Sequence, residues 1–160
     1  MFNRDSAIRF LLRRPGALNS WIARLTVLVL AVTGAAFLVW SAVIHLMLWS
    51  DGYKDVSVIG PLFLVQAIAG IVIALAIVAL RWLAMLAVGA ATGAATAVGL
   101  LLSAHVGLFG FKESLSVPYA TLSLAVEFTA AFVLLVAACV LALARPALVS
   151  SNSSPVPTRT

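Results

Sequence analysis

Four side chains could do chemistry in a chain that otherwise offers little of it: Glu127, Gln66, His45 and His105. Each sits within or at the edge of a long apolar run. A carboxylate in such a place can carry a proton, bind a ligand or pair with a partner. A glutamine amide can orient a ligand or join two helices by hydrogen bonding. Two histidines can ligate a haem axially, or hold a transition metal together with Glu127. The spacing argues against these last uses: there is no HxxxH, ExxH or CxxCH, and no GxSxG with a histidine beside a nucleophile. The lone Cys139 has no partner for a disulfide or a CxxC site. The sequence therefore predicts no enzyme, no metal site and no cofactor.

The elements that must position these residues are set by composition. The chain is 64% hydrophobic and 9% charged, with a mean hydropathy of +1.17. A soluble domain carries about a quarter of charged residues. So little charge cannot solvate a surface, and most of this chain must have lipid as its solvent. The sequence pI of about 10.4 would fit a nucleic-acid binder, but Arg4, Arg9, Arg13, Arg14 and Arg24 crowd before or into the start of the first apolar run. That pattern orients a membrane protein and attracts anionic lipid head groups. It leaves no folded basic surface for a nucleic acid.

Residues 1–20 read as a basic cytoplasmic segment. Asp5 or Ser6 would cap a short amphipathic helix lying on the membrane surface, and Pro15 and Gly16 would end it. Apolar runs then predict spans at about 25–49, 61–80, 83–108 and 118–144, and 146–160 reads as a disordered tail. Asn19 or Ser20 would cap the first span, and Pro61 and Pro118 would open the second and fourth. The run from Leu62 to Leu108 is too long for one crossing and must reverse near Arg81, although no Gly or Pro marks the turn. Eight basic residues fall on the side of the termini, against Lys54 and Lys112 on the other. The expectation is an all-α, up-down-up-down four-helix bundle with both termini cytoplasmic.

On that frame His45, Gln66, His105 and Glu127 fall in the outer half, one per helix, and a polar cluster beneath the outer loops is expected. Ser103 and His105 lie about 160° apart around their helix, so they cannot face the same neighbour. Gly89 and Gly93, continued by Thr92, Thr96, Gly99 and Ser103, form a small-residue stripe. It either packs helices within the chain or docks a partner helix. The first outer loop, with Asp51, Tyr53 and Asp55, would cap the cluster. Asp51, nearest in sequence, would accept a hydrogen bond from His45.

His45, Leu46, Leu48, Trp49, Asp51, Gly52 and Tyr53, then Ile59 to Leu64 with Gln66, then Gly107 to Phe111 with Glu113, form a pattern. With an acid in the last span, Glu127, it resembles a group of small four-span membrane proteins of high-GC bacteria. The likeness covers about residues 25–144. It implies a multi-pass protein of a bacterial plasma membrane. That family has no assigned activity, so no reaction is implied. Where the pattern carries a second histidine before the tryptophan, this chain has Met47.

Two functional expectations follow. The first is a non-enzymatic accessory subunit packing against a larger membrane complex. The second is a small carrier or proton-linked binding protein using His45, Gln66 and Glu127. A haem or metal protein is a more distant third.

Overall fold

The computed structural model describes residues 4–116 and 119–144. The expected start of the fourth span at Pro118 and the expected disordered tail lie outside them. Among the described residues the fold is all-helical, with an isolated β-bridge between Leu108 and Phe111. The elements are α1 (Arg4–Leu11), α2 (Trp21–Ser50), α3 (Ile59–Leu80), α4 (Leu83–His105) and α5 (Ala120–Leu143). The last four are long and apolar enough to cross a membrane.

Local chemistry sets the helix bounds, which differ from the expected ones. Ser20 caps α2 by accepting from the Ala23 amide at 3.4 Å, so the helix starts at Trp21. Helix α3 starts at Ile59, and Pro61 sits in its first turn, where a missing N–H leaves no carbonyl unpaired. Helix α4 stops at His105, short of Leu108. Gly107 adopts φ +87 and its amide returns to the Leu102 carbonyl at 3.0 Å, a left-handed helix stop. Between α3 and α4, Arg81 itself takes the left-handed conformation, φ 52. Arg81 holds that position itself, at a cost of about 1–2 kcal/mol, so no glycine marks the reversal. Helix α1 begins by Arg4, so Asp5 and Ser6 lie within its first turn and are not its cap.

Helix α2 packs on α3 and α5, and α4 packs on α5 and, over a smaller contact, on α3. The inward faces are mostly small, such as Ala31, Gly34, Ala35, Ala67, Gly70, Ala74, Ala130 and Ala137. Large apolar side chains point outward, with Leu75 65% and Phe132 67% exposed. This inverts the soluble pattern and suits lipid, where close backbone approach drives helix association. Gly89 and Gly93 belong to the inward face of α4. A Cβ on Gly93 would stand 2.9 Å from the Glu127 carbonyl and 3.0 Å from the Ala131 amide nitrogen. The stripe is thus used inside this chain. Gly99 is the exception, with nothing within 4 Å of an added Cβ.

The dry core lies toward the N-terminal end of α2, around Leu18, Val27, Leu38, Ile77, Leu86, Leu134 and Leu141. Arg13 closes that end. Its guanidinium donates to the carbonyls of Ala142, at 3.0 Å, and Ala144, satisfying the open C-terminus of α5. Its own carbonyl accepts from the Leu83 amide at 3.0 Å, at the open N-terminus of α4. Arg24 donates to the Leu18 carbonyl at 2.8 and 2.6 Å.

Gly93→Ala is expected to cost about 1–3 kcal/mol and lower the thermal midpoint in mild detergent, because α5 backbone blocks the methyl. Gly99→Ala, with open space around it, should leave the midpoint unchanged or raise it. Equal losses would show that α4 and α5 are not in this close register.

Candidate functional site

The site forms where the inward faces of α2 and α5 meet near the loop end. Ser41 and His45 are one helical turn apart on α2, and Ser123 and Glu127 one turn apart on α5. All four are buried, Glu127 to 1% exposure. Glu127 Oε1 accepts from Ser123 Oγ at 3.0 Å and from Ser41 Oγ at 3.4 Å. His45 Nδ1 lies 2.8 Å from the Ser41 carbonyl. A carbonyl only accepts, so Nδ1 carries the hydrogen. The other ring nitrogen, Nε2, then faces Glu127 Oε1 at 3.8 Å. In the neutral ring Nε2 is a lone pair opposite a carboxylate. A proton on either atom turns that facing pair from repulsive to attractive.

Glu127 Oε2 and Ser103 Oγ are buried without a hydrogen-bond partner among the described residues. Both residues line a cavity of about 330 Å³. Gln66, Thr96, Gly99 and His45 also border it, and the rest of the wall is mainly Leu, Ile, Ala and aromatic side chains. A volume near 300 Å³ is the lower end of small-molecule pockets.

An aromatic cap closes the loop side. Tyr53 stacks on Phe63 with centroids 4.9 Å apart, and Phe111 meets Tyr53 edge-on at 5.7 Å. His45 meets Phe63 edge-on at 5.0 Å. Tyr53 Oη donates to Glu113 Oε2 at 2.7 Å, tying the α2–α3 loop to the α4–α5 loop. Glu113 is held in turn: its amide donates to the Ser103 carbonyl at 3.2 Å, and its Oε1 accepts from the Ser114 amide at 2.9 Å. Gly60 lets the loop lie directly on α3, since a Cβ there would stand 2.7 Å from the Tyr53 carbonyl. Burial, and then the Glu113 hydrogen bond and charge, push the Tyr53 hydroxyl above its ordinary pKa of 10.0.

His45, Gln66 and Glu127 are therefore brought to one cavity, and Tyr53 caps it. His105 is not. It is exposed, with Nδ1 returned to its own helix at the Leu101 carbonyl, 2.9 Å away. Ser103 faces inward, and the offset of about 160° turns His105 outward. Among the described residues no group of three His, Cys, Asp or Glu side chains is placed to hold a metal. Asp51 does not meet His45. It caps α2 through its amide to the Met47 carbonyl, at 3.0 Å, and is exposed, as is Asp55. Gly99 borders the cavity, whereas Gly89 and Gly93 pack helices.

Sequence reasoning paired Asp51 with His45 and missed Glu113 as the partner of Tyr53. Proximity in sequence favoured Asp51. The usable signal was a phenol in one loop and an acid in the next on the same side. Compared with known proteins, the chain matches no family model, no curated protein and no solved structure.

The Tyr53 shift has a definite sign. The fold favours the neutral phenol, so its contribution is complete below about pH 10, the unfolded value. It is lost as pH rises above that. Thermal unfolding measured across this alkaline range should show a fall in stability that is weaker in Tyr53→Phe. Parallel curves for the two proteins would mean that the Tyr53–Glu113 tie does not hold the cap.

Proposed function

We propose that this protein is a small multi-pass protein of the bacterial plasma membrane that binds a small molecule in the cavity beneath its outer loops. Helices α2 to α5 alternate in direction, and both termini are cytoplasmic. Two observations support that orientation. The contacts of Tyr53 with Glu113 gather the loops at one end, and those of Arg13 with Leu83 and Ala142 gather the basic end. Six of the eight described Lys and Arg residues then fall on the cytoplasmic side. The exposed apolar and basic residues of α1, including Ile8, Phe10, Leu11 and Arg9, suit the surface of an anionic leaflet.

The observation that carries the ligand reading is the Glu127 carboxylate. It is a polar group that lipid does not tolerate, it lines a cavity, and one of its oxygens has no partner among the described residues. A buried polar atom left open costs about 1–3 kcal/mol and calls for an occupant that completes it. The accessory-subunit reading leaned on the glycine stripe as a docking groove. With Gly89 and Gly93 turned inward, it has no comparable observation in its favour.

Native mass spectrometry of protein extracted in lipid discs from its own membrane is the direct test. Wild type should carry a releasable small molecule, and Gly99→Leu, which grows into the cavity, should lose it. Protein that arrives with other chains bound and an empty cavity would favour the accessory reading instead.

A further inference from the structure

The cavity wall carries a charge pattern that selects among ligands. Two carboxylates border it, Glu127 and Glu113, and no Lys or Arg does so among the described residues. Lys54 and Lys112, the cations of the two loops, are both exposed. The two carboxylates are not equivalent. Both oxygens of Glu113 are engaged, by Tyr53 and by Ser114. Glu127 has its donors on Oε1 and none on Oε2. Beside it, His45 Nε2 is a lone-pair acceptor whenever the ring is neutral, since Nδ1 donates to Ser41. The bottom of the cavity thus presents acceptors, while its roof is made of Tyr53, Phe63 and Phe111.

Resting on the ligand-binding reading above, we propose that the cavity takes a small organic cation, an amine or ammonium head with a short apolar tail. The head lies against Glu127 and the tail against the Leu, Ile and Phe wall. Where Glu127 is ionised, a neutral ligand leaves its charge uncompensated in a low-dielectric site, and an anion adds repulsion to it. A cation offsets the buried charge. A bare metal ion is disfavoured, because hard cations need six or more oxygens and this wall is mainly carbon.

Three probes of similar shape separate the outcomes: 3-phenylpropylammonium, N-benzylacetamide and 3-phenylpropanoate. Each is titrated calorimetrically into the full chain in phosphatidylcholine discs, whose surface is neutral, with Gly99→Leu as the cavity-blocked background. The cation is expected to bind about tenfold or more tighter than the amide, with the anion weakest. Glu127→Gln keeps an acceptor for Ser41 and Ser123. It should abolish the cation's advantage over the amide. If the amide or the anion binds as well as the cation in wild type, the charge inference is overturned while the ligand-binding reading stands. If none of the three exceeds the Gly99→Leu background, both fall.

Discussion

Lipid offers no hydrogen-bond donors, so a carboxylate placed in an apolar helix must find its partners within the protein. Glu127 imposes that condition on three helices at once. Its side chain draws donors from Ser41 on α2 and Ser123 on α5. Its backbone carbonyl lies against Gly93 of α4, at a distance that excludes a side chain there. The same turn of α5 is therefore fixed from one side by polar chemistry and from the other by close packing. Shifting α5 by one residue would expose the acid and drive α4 backbone into bulkier groups.

The two ends of the bundle are built differently. Toward the N-terminus of α2 the interior is dry, filled by Leu, Ile, Val and Ala, and the open helix ends there are satisfied by Arg13. Toward the loops the interior is hollow, and it is bordered by rings and a phenol–carboxylate hydrogen bond. A packed base beneath a preformed cavity is the arrangement the proposed ligand binding would use, since groups ordered in advance lower the cost of binding.

Much of the architecture was legible in the sequence, since long apolar runs have few alternatives in lipid and Ser20 and Gly107 carry recognisable helix signals. The reversal at Arg81 was legible only by length, because its left-handed residue is neither Gly nor Asn. For the site, helical spacing gave the opposition of Ser103 and His105. It could not say which face of α4 turned inward, because lipid-facing and protein-facing residues are equally apolar and the amphipathic signal vanishes. Nor could it pair Tyr53 with Glu113. They are sixty residues apart, and their meeting depends on how two loops lie over a finished bundle.

The ring of contacts has a consequence for how the protein is made. Helix α5 is the last described helix to leave the ribosome, yet it packs on both α2, the first of the four long helices, and α4. Until it inserts, α2 and α4 share little contact, and Ser41, His45 and Ser103 lack the wall that buries them. Insertion of α5 brings the carboxylate and the helix on which α2 and α4 both pack in one step. A chain truncated before α5 lacks that shared surface and is not a smaller version of the same bundle.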